Sequence, residues 1–151
     1  MCLILVAKDV HSCYPLIIIA NREEYHSRPT QSLSFWHDHP TIAAGRDLTA
    51  GGTWFGLNLQ GLFAAVTNFQ EPTVTVRSDY SRGMLVLDWL RQETEPADSH
   101  LRNHDQLQRY PGVNVISGNI TTLWWDSNRA SAPRRIPSGI TGLSNNLLNS
   151  P

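Results

Sequence analysis

The chain has 151 residues, 40% hydrophobic and 17% charged, which suits one domain with a single core and is too rich in Trp, Ile and Leu for a disordered chain. Twelve Lys and Arg against thirteen Asp and Glu give a formal net charge of -1, which argues against the clustered cationic face that holds a phosphate backbone, and so against nucleic acid as a partner. Two cysteines, Cys2 and Cys13, are too few for a disulfide framework or a closed zinc site, so a reducing, cytoplasmic setting without a bound metal is expected.

The opening Met-Cys-Leu-Ile-Leu-Val-Ala reaches Lys8 and Asp9 before the apolar core of a signal peptide can develop. The mature chain is therefore expected to start at or just after Met1. Leu3–Ala7 and Tyr14–Ala20 are short apolar runs separated by a polar turn, and they predict two buried antiparallel strands. Leu16–Ala20, the longest apolar run, is far short of the ~20 residues that span a bilayer. No transmembrane segment is expected. Asn21–Thr30 reads as a loop ending at Arg28-Pro29, and Ser32–Arg46 carries Phe35-Trp36 and a His37-Asp38-His39-Pro40 turn. Trp54–Leu59 and Leu62–Asn68 flank Gln60-Gly61 and predict a hairpin.

From Ser81 the apolar period changes to about 3.6, with Met84, Leu85, Leu87, Trp89 and Leu90 in one stripe. This predicts a helix over Ser81–Gln92 with Ser81 as N-cap, and a second helix runs from Pro96 to Gln108. Val113–Ser117 and Thr121–Asp126 are two further strands joined by Gly118-Asn119, and a last extended piece lies around Ile140–Ser144. The pattern predicts an α+β layered domain with helices on antiparallel sheet.

Cys2 is the most informative residue for chemistry. Removal of Met1 would leave a thiol and a free α-amine on one residue, and an amine of pKa ~7.7 can take the thiol proton, as in an N-terminal nucleophile. The alternative is a small apolar residue opening a strand. Asn21-Arg22-Glu23-Glu24 follows an apolar strand directly. Its arginine can hold an acidic partner or lower a nearby thiol pKa, or the segment is a solvated turn. Asn68, Asn145 and Asn146 sit at strand ends, where amides can donate to an oxyanion or close turns. His37 and His39, and the His100/His104 pair, lack the companions of a metal site. Trp124-Trp125 places one ring on each face of its sheet, and no motif calls for a cofactor.

These motifs combine into a likeness. Met1-Cys2, Asn21-Arg22-Glu23-Glu24, Gly45-Arg46-Asp47, Gly51-Gly52-Thr53-Trp54, Thr67-Asn68, Ser81-Arg82-Gly83 and Gly142-Leu143-Ser144-Asn145 occur in that order. Together they make the chain resemble the NRDE family, also called the transport-and-Golgi-organisation-2 family. The family pattern has Asp where this chain has Glu23, and members are usually longer, continuing with a Trp-Pro-Lys-Val type run. The resemblance thus implies that residues 1–151 are a single NRDE-type domain, the N-terminal part of a longer family domain.

That family is similar to N-terminal nucleophile hydrolases of the choloylglycine hydrolase and penicillin V acylase type, which implies an αββα sandwich, here incomplete at its C-terminus. The likeness implies Cys2 as nucleophile, Arg22 as the arginine beside it, and Asn68 and Asn145 as the oxyanion asparagines. The hydrolases' aspartate falls at Tyr25, one residue after Glu24, which can replace it. The implied activity is hydrolysis of an amide or thioester bond in a small molecule. The alternative that the family implies is non-enzymatic binding and trafficking of haem, lipid or acyl-CoA. A domain lacking closing elements is also expected to self-associate through uncovered sheet.

Overall fold

The computed structural model describes residues 2–71, 81–92 and 104–150. They form strands β1 (Leu3–Lys8), β2 (Leu16–Asn21), β3 (Thr30–Phe35), β4 (Ile42–Asp47), β5 (Phe55–Asn58) and β6 (Phe63–Asn68), helix α1 (Arg82–Leu90), then β7 (Val113–Gly118), β8 (Leu123–Ser127), β9 (Arg134–Arg135) and β10 (Gly139–Leu143). A three-stranded sheet has the order β10-β1-β2, and a seven-stranded sheet runs β3 to β9 in sequence order. Every pairing is antiparallel. The α+β class expected from the sequence is therefore observed, with two sheets and α1 as its layers.

The alternation of β strands sorts side chains onto two cores. Between the sheets, Ile4, Val6 and Leu143 of the small sheet meet Phe63, Ala65, Ile116, Leu123 and Trp125 of the large one. On the opposite face of the large sheet, Val86, Leu87, Trp89 and Leu90 of α1 pack on Ala44, Ala64, Val66 and Val113. The first two strands were expected to be buried, but β1 is buried on one face only and β2 is at most half-buried, through Leu16, Ile18 and Ala20. Leu5 is 40% exposed and its cross-strand neighbour Ile19 64% exposed, as is Ile140 at 75%. Apolar residues on both faces of a strand read as full burial in a sequence, whereas the packing here covers a single face.

Three strands lie where the sequence reading placed none. β3 (TQSLSF) is exposed at every position and β4 (IAAGRD) is built from poor strand formers, so neither shows a strand pattern. Cross-strand pairing with β5 carries β4, and β4 in turn carries β3. β9 has two residues and pairs with Trp124 and Trp125 of β8. The expected hairpin is β5–β6, with Gly61 at φ 79 in its turn. Most of the helix expected from Pro96 to Gln108 lies outside the described residues; residues 104–107 are helical.

Helix α1 begins as expected at Ser81, whose backbone is extended (φ -74, ψ 131), but the Ser81 side chain makes no capping hydrogen bond. The helix is seated by backbone contact instead. A Cβ on Gly52 would lie 2.6 Å from the Gly83 carbonyl carbon, and Thr53 N donates to Gly83 O at 3.2 Å. Only residues without side chains allow that approach. At the other end, buried Asn58 donates to the carbonyls of Leu90 (2.9 Å) and Gln92 (3.1 Å), which a helix end leaves unpaired. Its Oδ1 accepts from Gln60 N and Leu62 N, so one side chain closes the β5–β6 turn and caps α1.

Candidate functional site

The site forms where the ends of β1, β2 and β10 meet the end of β6. Thr67 Oγ1 donates to Ser144 O at 2.6 Å, and Gln70 N donates to Asn145 O at 2.7 Å. Buried Asn114 on β7 donates to Asn146 O at 3.0 Å and to Thr67 Oγ1 at 3.2 Å. These bonds tie the small sheet to the large one and fix the segment after β10. Within it, Asn145 is oriented at both ends of its amide: Cys2 N donates to Oδ1 at 3.0 Å, and Nδ2 donates to Asn68 O at 2.7 Å. One amide proton of Asn145 is thus committed to Asn68, which leaves the other for a bound group.

Cys2, Arg22, Glu24 and Asn68 all line one cleft of about 440 Å³. Residues 143 positions apart in sequence are hydrogen-bonded here, so every site residue singled out in the sequence is brought together. Tyr25, where the resembled hydrolases have aspartate, is 83% exposed. Glu24 instead lines the cleft and pairs with Arg22 at 3.5 Å.

The sequence reading missed Arg28 and Asp47 as members of the site. Arg28 Nε donates to Asp47 Oδ2 at 2.8 Å, and Arg22 reaches the same oxygen at 3.4 Å and Thr30 Oγ1 at 3.1 Å. Asp47 Oδ1 accepts from Thr49 N and Ala50 N. Burial opposes ionisation of Asp47, but the two amides and Arg28 outweigh it and hold the carboxyl below its ordinary range. Arg82, Thr53 and Trp54 complete the wall. The signal for Asp47, Thr53, Trp54 and Arg82 was present in the Gly-Arg-Asp, Gly-Gly-Thr-Trp and Ser-Arg-Gly motifs, whose side chains had been assigned no role.

The sequence left Arg22 either to hold an acidic partner or to lower a nearby thiol pKa, and both are observed; the Cys2 thiol pKa is nonetheless raised. Burial is the largest cause; the N-terminal charge and Arg22 pull the other way, and Glu24 adds to the rise. Arg22 spends its charge on Asp47 and Glu24. Cys2 Sγ also lies 4.0 Å from Glu23 O, a contact that suits the protonated thiol.

Elsewhere, Asp38 of the His37-Asp38-His39 turn binds Arg46 through both oxygens at 2.7 Å, and this guanidinium lies over the Trp36 ring. Among the described residues no group of His, Cys, Asp and Glu could hold a metal ion. His100 lies outside the described residues, and His104 bonds Asp126 at 2.7 Å. Trp125 is buried between the sheets and its neighbour Trp124 is half-buried.

Fold and site together define an α+β protein of two antiparallel sheets in which a part-buried cysteine, one residue after Met1, borders an arginine-lined cleft. Over residues 1–151 the chain matches the family model described as Transport and Golgi organisation 2, and it belongs to that family. It is 32% identical to the human Transport and Golgi organization protein 2 homolog over 164 aligned residues, covering all of this chain and 59% of that protein. The mouse homolog is 31% identical with the same coverage, and the Drosophila melanogaster protein is 30% identical over 90% of this chain and 50% of its own length. The chain thus spans between half and three-fifths of the length of these relatives. Among the described residues no helix is long and apolar enough to cross a membrane.

Proposed function

We propose that the cleft is a hydrolytic site in which Cys2, freed of Met1, attacks the carbonyl of an amide or thioester in a small molecule, within an N-terminal nucleophile type of sandwich. The observation that carries this reading is the pairing of Cys2 N with Asn145 Oδ1 while Asn145 Nδ2 binds Asn68 O. The backbone nitrogen that would become the α-amine is already held at the cleft. In the proposed reaction that amine takes the thiol proton, and sulfur bonds to the carbonyl carbon. Asn68 and the uncommitted amide proton of Asn145 steady the oxyanion. Collapse expels the amine or thiol, which leaves with the proton, and water then cleaves the acyl-cysteine to an acid. Arg22 and Glu24 are positioning groups, their charges paired with one another at 3.5 Å.

A second reading is non-enzymatic binding and hand-over of haem, lipid or an acyl-CoA in the same cleft. The relatives' names, which speak of transport and Golgi organisation, agree with such a role without specifying a ligand. Intact mass first establishes whether Met1 is removed, and labelling by a thiol electrophile then separates the readings. With a free amine, Cys2 is expected to label faster than exposed Cys13, and Cys2→Ser to abolish that reaction. Equal or slower labelling of Cys2 in protein lacking Met1 overturns the hydrolase and leaves the binding reading. Self-association belongs to the same proposal and is supported by the exposed Leu5, Ile19 and Ile140. Ile19→Lys is expected to lower the sedimenting mass, and a monomeric parent chain would refute it.

A further inference from the structure

A second cavity, of about 230 Å³, lies beside the C-terminal half of α1, where Trp89, Val115 and Asp126 help to line it, and it has no cation among its described lining residues. The Cys2 cleft has three, Arg22, Arg28 and Arg82, together with Glu23, Glu24 and Asp47. These charges are not matched one to one. Arg22 and Arg28 share Glu24 and Asp47, at 2.8 to 3.9 Å. Arg82 makes no ion pair with a described residue, and its hydrogen bond runs from Nε to Gly112 O at 3.1 Å. That leaves the four Nη protons of its guanidinium without a partner among the described residues. Glu71, whose charge reaches Arg82, is committed to Arg129 Nε at 2.5 Å. Burial pulls the Arg82 pKa below its ordinary value. A guanidinium held partly out of water with no counter-charge in contact is costly, and an anion brought in by a ligand relieves that cost.

Arg82 is also held at a fixed place relative to Cys2. Gly112 O accepts from Phe69 N at 2.9 Å as well as from Arg82, so the guanidinium is tied to the end of β6, where Phe69 follows Asn68. Asn68 O in turn accepts from Asn145 Nδ2, and Asn145 Oδ1 accepts from Cys2 N. A continuous run of hydrogen bonds and backbone therefore joins Cys2 to Arg82, and Trp54 and Val66 line the same cleft as its apolar surface. At the ~30 Å³ that a water molecule occupies in the liquid, the cleft of about 440 Å³ holds about fifteen heavy atoms. We propose that Arg82 anchors a carboxylate of the small molecule that this cleft takes, its Nη edge donating to both oxygens while the body lies along Trp54 and Val66 towards Cys2. One uncommitted cation matches the single charge of a carboxylate rather than a phosphate dianion. The inference rests on the cleft being a small-molecule site, which both readings above share, and not on attack by Cys2.

The probe is hexanoate, titrated to about 20 mM into the isotopically labelled chain at constant ionic strength and followed by the Trp54 indole and Arg82 Nε–H resonances. Saturable shifts at both are expected, with hexanol, which has the same chain without the charge, binding about tenfold more weakly or worse. Arg82→Gln is expected to weaken hexanoate about tenfold and to leave hexanol unchanged, with a melting curve reporting whether it folds. If that variant does not fold, the hexanoate-to-hexanol ratio in the parent chain, and its decline with added salt, decide instead. Absence of saturable shifts, equal binding of hexanol, or undiminished hexanoate binding by folded Arg82→Gln would each overturn the proposal. Hexanoate has no cleavable acyl bond, so it reads the anchor alone. Fast Cys2 labelling beside a failed titration keeps the hydrolase and discards the anchor, and slow labelling beside a successful titration does the reverse.

Discussion

The two cavities share α1 as a wall and differ in how they are made. The Cys2 cleft collects Cys2, Arg22, Asp47, Asn68 and Arg82 from segments scattered over both sheets, and its hydrogen bonds run between chain-distant backbones. The Asp126 cavity uses one sheet, α1 and the helical residues Gln106 and Leu107, and Leu85, Trp89, Leu107 and Val115 supply its apolar walls. Charge differs as well, the first setting Arg22, Arg28 and Arg82 against Glu23, Glu24 and Asp47, the second having carboxylates and no basic residue among its described lining. Polar sites assembled at strand ends depend on exact backbone placement, whereas a cavity beside a helix depends on how that helix is seated.

The helix seats therefore allow each cavity to be disturbed separately. Asn58→Ala removes four hydrogen bonds at the C-terminal end of α1 and is expected to cost about 2–4 kcal/mol in a denaturant melt, because carbonyls and amides stay buried without partners. Trp89 should then become more emissive or more quenchable while Cys2 labelling changes little. Equal disturbance of both sites would show that α1 moves as a rigid unit and would break the distinction. Gly52→Ala acts at the opposite end, where the new Cβ meets the Gly83 backbone. The expected loss is about 1–3 kcal/mol, with Cys2 labelling altered more than Trp89 emission.

Asp47→Asn tests the electrostatics of the Cys2 cleft alone. A carboxyl whose folded pKa is depressed adds stability above its unfolded pKa of ~3.9 and loses it as pH falls through the lower folded value. Wild type should therefore exceed Asp47→Asn by no more than about 1 kcal/mol near neutrality, the side chain being near the surface. The margin should close in acid, and a margin independent of pH would mean that shape rather than charge is responsible. The smallest effect concerns Cys2, whose thiol is raised by burial. Its protonated form is favoured by folding, so stability should decline as pH rises above the unfolded thiol pKa of ~8.5, and Cys2→Ala should flatten that decline. A decline that persists unchanged in Cys2→Ala would place its origin elsewhere.

What could be read in advance divides along the same lines. Strongly patterned segments such as Leu3–Ala7, the hairpin around Gly61 and the stripe from Met84 to Leu90 correspond to β1, β5–β6 and α1. β3 and β4 escaped because polar, alanine-rich and glycine-containing strands owe their form to partners across the sheet. Cys2, Arg22, Glu24, Asn68 and Asn145 were legible through ordered motifs and do converge on one cleft or its hydrogen bonds. Arg28 and Asp47 were not, since a shared carboxylate between two arginines leaves no local spacing. The glycines at 52 and 83 were visible as motifs, but the contact that requires them was not.

By itself the sequence determined the family, the α+β class and the side chains gathered around Cys2, because these rest on local periodicity and on ordered short motifs. The tertiary structure alone decided which face of β1 and β2 is covered, which residue opposes Arg22, and the direction in which the Cys2 thiol is shifted. It also alone placed Arg82 in the Cys2 cleft without an ion pair among the described residues. Burial and electrostatic balance are sums over neighbours from the whole chain, and no stretch of sequence contains that sum.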